Sequence, residues 1–351
     1  MASALSYPVR HPRWVLTYAG ANISADVSGM VTEIGYTDKV AHSSDEVEVT
    51  LEDRDRRWQG PWFPVRGDVV TLLIGYDGEQ LLNCGDFQVD ELELKGPPDT
   101  FHLKCIAAGI TPSIRTPRSA AYESQTLLQV AQTIAQRHGM TVTGAPQSIN
   151  VTWARLTQKH ETDLHFLRSL AQAHNYDFSI RGKQIIFYSR TKLERAASIL
   201  TISRGSQNPH PSLSRKGAGE GQILAKSFEF KTKTQQIYKS ASVAYQNPAA
   251  KKLIAASAND ASAPTGDDLH IVTRCENPQQ AQLKAASALH DANMLQVTGR
   301  VEMEGTTLLV AGVNVAMKGF GVVDGTYHIE SSKHRLERSS GYTTEIEVRR
   351  L

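Results

Sequence analysis

The chain has 351 residues, more than one compact domain usually holds, so two or three domains are expected. Its 38 Lys and Arg against 36 Asp and Glu leave a net charge of +2, which speaks against a dedicated nucleic-acid binder and equally against an acidic disordered chain. Three cysteines, Cys84, Cys105 and Cys275, are too few and too scattered for a disulfide framework or a paired-cysteine zinc site, and they fit a reducing compartment or a particle assembled in one.

The opening residues carry Arg10, His11, Pro12 and Arg13 without the apolar stretch of a secretory signal, and no run of about 18 apolar residues occurs, so neither a signal peptide nor a spanning helix is expected. Residues 45–52 (DEVEVTLE) alternate polar and apolar with a period of two, the pattern of a strand with one buried face. A charged turn follows, punctuated by Gly60, Pro61 and Pro64, with Trp58 and Trp62 on either side of the Gly-Pro step and expected to pack over the end of a barrel. Residues 68–76 (DVVTLLIGY) form a β-branched run, Asp77-Gly78 signals a hairpin turn, and residues 81–94 and 101–107 continue as strands. Several short strands with regular turns point to a barrel or a sandwich.

The composition shifts near Pro117. Ser124 is the expected N-cap of a helix whose Leu127, Leu128, Val130, Ala131 and Ile134 lie on or near one face, with Gly139 just past its end. A second helix is expected over residues 162–174, with an apolar stripe of Leu164, Leu167, Leu170 and Ala171 and a left-handed Asn175 after it. Residues 176–180 and 184–188 read as a hairpin across Gly182, which makes the middle block a small α+β unit. Beyond it, residues 204–221 and 247–268 have the composition of surface loops, Asn277-Pro278 starts a helix running to about residue 295, and residues 298–351 are strands and glycine turns. In the last of these, Ile346 and Val348 share one face and Glu345, Glu347 and Arg349 the other, the signature of a strand and not of a frayed tail.

Two words recur. Arg66-Gly67-Asp68-Val69-Val70 opens a strand early and Ala311-Gly312-Val313-Asn314-Val315 opens one late. Gly85-Asp86-Phe87-Gln88-Val89 matches Gly325-Thr326-Tyr327-His328-Ile329, a glycine turn leading into aromatic-x-β-branched. A duplication explains the match, and so does chance reuse in a β-rich chain; at this level both stand.

Candidate chemistry does not assemble. His160 and His165 are five residues apart, about 140° around a helix, where a helical zinc pair needs four. The Gly319-Phe320-Gly321 stretch lacks the glycine spacing and the following helix of a dinucleotide site and reads as a turn between strands, and residues 217–221 lack the Lys-Ser/Thr of a phosphate loop. Asp53 with Asp55, and Glu46 with Glu48, merely share a solvent-facing side of a strand. No catalytic, cofactor-binding or metal-binding residues are assigned.

Residues 158–171 (QKHETDLHFLRSLA) resemble the Q-x-x-E-(S/T)-D-x-x-F-L-x-x-L-A segment of phage late control gene D proteins, a segment with a counterpart in type VI secretion spike proteins. The stretches 125–128, 138–139, 311–312, 319–321, 325–329, His334 and 341–344 are similar to the same family, so the resemblance extends from about Gly29 to Leu351. It implies a β-rich α+β chain with two tube-type β-barrel domains, residues 1–118 and 193–351, the second with long loops and one helix, around a small α+β domain at 119–192. It implies a non-enzymatic baseplate hub of a contractile phage tail or tailocin, assembled in the host cytoplasm, a homotrimer that adapts a hexameric tail tube to a trimeric spike. Expected partners are the spike, tail tube or tube-initiator proteins, the tape measure and other baseplate proteins, without cofactor, membrane insertion or sequence-specific nucleic-acid contact. On this reading Gly67, Gly85, Phe87, Val89, Gly312, Gly325, Tyr327 and Ile329 mark the repeated turns and strands, and Ile346 and Val348 a terminal ring strand. The chain ends directly after its last strands and embeds no lysozyme-like domain, so spike and lytic functions are expected on separate polypeptides. The alternative is a cell-wall hydrolase or peptidase that uses the middle block between His160 and His174.

Overall fold

The computed structural model describes residues 10–40, 44–108, 112–144, 152–204, 221–233, 237–247, 251–261, 263 and 266–351. Four separate hydrophobic cores organise it.

The first core is built by β1 (Pro12–Tyr18), β2 (Ala21–Asn22), the single helical turn α1 (Ser24–Val27), β3 (Val31–Lys39), β4 (Glu46–Glu52), β5 (Val69–Tyr76), β6 (Leu82–Lys95) and β7 (Thr100–Ala107). The strands pair in the order β3-β4-β7-β6-β5-β1-β2, all antiparallel. The alternation expected in β4 is present: Val47, Val49 and Leu51 are buried between half-exposed Glu46, Glu48 and Thr50. Trp58 closes one end, stacked on Phe101 at 5.2 Å with Trp62 edge-on to it, over an apolar cavity of about 240 Å³ lined by Leu16, Ile23, Val70 and Leu103.

The second core belongs to β8 (Pro117–Thr126), α2 (Leu127–Arg137), β9 (Thr141–Thr143), β10 (Thr152–Thr162), α3 (Asp163–Gln172), β11 (Tyr176–Arg181) and β12 (Gln184–Ser189), followed by the short α4 (Arg190–Glu194). Both helices turn their apolar stripes onto Tyr122, Trp153, Ile185 and Phe187. The cap of α2 is Thr126 and not Ser124: Thr126 accepts from the Gln129 amide while the Gln129 side chain accepts from the Thr126 amide. Ser124 lies inside β8 at φ 52°, because β8 and β10 form a long two-stranded ribbon that reaches up to the helix start. Gly139 and Asn175 take the left-handed positions after their helices.

The third core is a closed barrel of six strands: β13 (Leu200–Arg204), β14 (Gly221–Thr232), β18 (Val297–Glu304), β19 (Asn314–Lys318), β20 (Gly325–Glu337) and β21 (Gly341–Arg350), paired β19-β13-β14-β18-β21-β20 with β20 returning to β19. Between β14 and β18 stands a fourth unit, β15 (Ser240–Asn247), β16 (Lys252–Asn259) and β17 (Asp268–Ile271) covered by α5 (Pro278–Asn293), with Asn277 as N-cap and Pro278 at its first turn. This corrects the loop expected over residues 247–268: β16 lies within it, paired to β15 over eight residues from Asn247↔Lys252 to Ser240↔Asn259. Its Ala and Ser side chains carry too little apolar contrast to show the period. The other expected loop, 204–221, lies almost wholly outside the described residues.

β20 belongs to two units at once. Its first part lines the closed barrel, and its second part, Ser331 to Glu337, pairs with β3 from Lys39 to Glu33. One continuous sheet of 13 strands therefore joins both barrel units.

Candidate assembly surface

The repeated words occupy matching places. Gly67 N donates to Val89 O at 3.0 Å and Val89 N donates to Asp68 O at 3.0 Å; Gly312 N donates to Ile329 O at 2.9 Å and Ile329 N donates to Val313 O at 3.0 Å. Phe87 faces Val70 across β5–β6, and Tyr327 faces Val315 across β19–β20, both aromatic rings fully buried. The four glycines have φ of 91° (Gly67), 101° (Gly85), 90° (Gly312) and 149° (Gly325), values at which a β-carbon is strained. Val89 and Ile329 are each followed by a break in register, between Val89 and Glu91 and between Ile329 and Ser331. A second pair of breaks matches too, between Val31 and Glu33 in β3 and between Ala225 and Ser227 in β14. A bulge inserts one residue and re-aims a strand, so bulges repeated at corresponding positions bend both barrels alike. The correspondence runs through five strands: β3, β4, β5, β6 and β7 answer to β14, β18, β19, β20 and β21.

Ile346 and Val348 are buried in β21, which is paired on both sides, to β18 and to β20. Arg349, on the other face, is also buried, at 5% exposure, because Glu194 (2.6 Å) and Glu330 take its guanidinium. Burial disfavours the ionised Glu194, but His290 and Arg349 outweigh it and bring its carboxyl down to about 2. This cluster ties α4 and α5 to the barrel.

The junction of the two barrels carries buried polar groups. His334 is fully buried on β20, stacked on Tyr36 at 5.8 Å, with Nδ1 at 2.8 Å from the Tyr342 hydroxyl and Nε2 at 3.1 Å from Ser332 Oγ. Burial pushes its imidazole down to about 4, so it stands neutral at pH 7. Beside it Asp38 accepts from Ala311 N at 2.9 Å, and Arg10 bridges Glu79 (3.0 Å) and Glu304 (3.1 Å) while lying 3.5 Å over the Tyr76 ring.

The middle unit explains the segment at residues 158–171. Asp163 is fully buried and accepts from Arg137 (2.9 Å) and the Gln158 amide (2.8 Å), with His138 Nε2 at 2.8 Å. Burial opposes its charge, yet the hydrogen bonds from His138, Gln158 and Arg137 hold the carboxyl below its usual range. Thr162 caps α3, and Phe166, Leu167, Leu170 and Ala171 fill the core. The segment is thus a device that locks the β10–α3 corner. The histidines of the hydrolase alternative diverge: His160 is exposed in β10 at φ 47°, His165 is exposed beside Glu161 at 2.8 Å, and His174 is buried against Trp153 with Nδ1 at 2.8 Å from Leu170 O. Among the described residues no group of three or more His, Cys, Asp or Glu is placed to hold a metal. Cys84, Cys105 and Cys275 are buried free thiols.

Solved structures share this architecture. A tail protein from Neisseria meningitidis MC58 superposes with a TM-score of 0.70 at 12% identity, over 97% of this chain and 96% of that one. A type VI secretion component from E. coli, itself described as structurally similar to T4 tail proteins, gives a TM-score of 0.54 at 12% identity over 91% of this chain and 73% of that one. The fold is therefore one shared with phage tail proteins and a type VI secretion component, β-rich with barrel units and an α+β insert. Among curated proteins, the probable baseplate hub proteins of Escherichia phage 186 (28% identity over 212 residues) and Escherichia phage P2 (26% over 203) are similar to it, the matches covering 60% and 57% of this chain. The likeness to phage baseplate hub proteins carried by the sequence words is borne out. The chain spans about half the length of these relatives, 52% in each case. No family profile matches the chain.

Proposed function

We propose that the chain is the hub of a contractile-tail baseplate, located in the tail of a phage or tailocin, and that it acts by holding partners and not by catalysis. The observation that carries this reading is the duplicated barrel: five corresponding strands with bulges at the same places, fused through β20. Two like barrels per chain in a closed trimer present six near-equivalent positions to a hexameric tube and threefold symmetry to a spike. The names of the phage 186 and P2 relatives support the same reading.

The test is light scattering on the purified full chain, alone and with its cognate spike and tube proteins. A homotrimer, or a three-to-three complex with the spike, is expected. A chain that stays monomeric or dimeric with both partners present overturns the proposal.

A further inference from the structure

We infer, resting on that trimeric reading, that copies join by the strand pairing that already joins the two barrels within one chain: β6 of one copy lies antiparallel along β14 of the next, in a defined register.

Within the chain, the second part of β20 runs past its own barrel and docks on the free edge of β3, Lys333 opposite Thr37, His334 opposite Tyr36 and Arg335 opposite Gly35. The counterpart of β20 is β6, and the counterpart of β3 is β14, by the matched bulges. Both counterparts have an edge without a ladder among the described residues. β6 pairs with β5 as far as Gln88, while its last residues, through Lys95, pair on one side alone, with β7. β14 pairs with β13 over residues 221–225, and from Ser227 to Thr232 it pairs with β18 alone. Such edges invite another strand.

Carrying the register of the β20–β3 junction over to these edges places Glu91 opposite Lys233, Glu93 opposite Lys231 and Lys95 opposite Glu229. All three pairs are of opposite charge. On the other face Leu94 falls opposite Phe230, where the intrachain junction has His334 stacked on Tyr36. Leu94 is 46% exposed in the single chain, more than a leucine facing a core would be, and pairing covers it. The matched bulges alone fix this register, and both complementarities are independent of them. The two edges differ from one another, so the contact is head-to-tail, the kind that closes into a ring when the rotation permits.

The experiment uses the full chain with Glu93→Cys and Lys231→Cys together, treated with a short thiol–thiol cross-linker and run on a denaturing gel. Directly opposed residues in a ladder bring β-carbons to about 5 Å, so covalent dimer and trimer bands are expected. The pair Glu91→Cys with Ser227→Cys, set about 20 Å apart by this register at 3.3–3.4 Å per residue, is expected to give none. In parallel, the reversal Glu93→Lys with Lys95→Glu is expected to raise the trimer's dissociation midpoint about tenfold, and adding Lys231→Glu with Glu229→Lys to restore it. A trimer that forms but is not cross-linked through positions 93 and 231, or a reversal that the second reversal does not rescue, overturns the register and leaves the hub reading standing. Absence of any trimer, with partners present, overturns both.

Discussion

The two barrels share five strands and differ in the sixth. In the second, β13 runs parallel to both β14 and β19 and seals the ring with hydrogen bonds on both sides. In the first, β1 runs the opposite way, antiparallel to β5, and among the described residues its other edge meets the two-residue β2 and no ladder to β3. There Ser24 and Ile23 satisfy the backbone of Leu16, α1 plugs the gap with Val27, and Leu336 and Tyr342 from the distant end of the chain complete the core. A closing strand has to satisfy backbone groups and bury one face, and either direction does that. The five-strand frame, by contrast, fixes where β3 meets β20, so its bulges cannot drift between the copies without breaking that junction.

The severest way to break this comparison is a chain ending at Tyr342. It removes the ladder of β21 to both β18 and β20 and takes Ile346 and Val348 out of the closed barrel, each contributing about 1.5–3 kcal/mol. Loss of soluble protein is expected; wild-type yield and circular dichroism would show that the barrel tolerates an open ring. Next, Phe87→Ala and Tyr327→Ala remove matched rings and should each cost about 3–5 kcal/mol in denaturant unfolding. If the copies differ, Tyr327 should lose more, because its hydroxyl also donates to Val323 O at 2.7 Å.

Acid should act most strongly at the junction. With the folded His334 at about 4 and a free imidazole near 6.5, the unfolded chain takes up the proton first, so stability is full above about pH 6.5 and falls as the pH drops to about 4, by roughly 2–3 kcal/mol. His174 and His328, both lowered chiefly by burial, add to the slope in the same direction. His334→Gln should flatten the curve of melting temperature against pH; an unchanged slope would place the effect elsewhere. The smallest effect is expected at the turns: Gly85→Val and Gly325→Val each about 1–3 kcal/mol from strain at positive φ. Gly325 should cost more, since its added carbon meets the Arg350 guanidinium at 3.3 Å whereas Gly85 has open space. Ala258→Val, on half-exposed β16, is the control.

Much of this fold is legible in the residues where burial alternates with strand period, as in β4 and β21, or where a cap residue has no competitor, as at Asn277. The β8–β10 ribbon is not, because its faces are nearly all solvated and Tyr122, Trp153 and Gln158 are among its few buried side chains. The Ser124 cap fails for the same reason: an unseen strand already owns that residue. The words at Gly67 and Gly312 mark strand entries because a positive φ selects glycine visibly. The bulges in β3, β6, β14 and β20 leave no residue type behind, and they are what reveals the register of the free edges.

The strand that serves both barrels also decides how the molecule yields. A linker between two domains lets one melt while the other persists. Here β20 leaves its ladder with β19 at His328 and joins β3 at Ser331, its side chains passing from one core at Ile329 to the other at Leu336, so stretching or melting either end shears the other's ladder. The pair should therefore come apart in one step, and a pull along the chain would be carried by rows of hydrogen bonds loaded side by side instead of by a hinge.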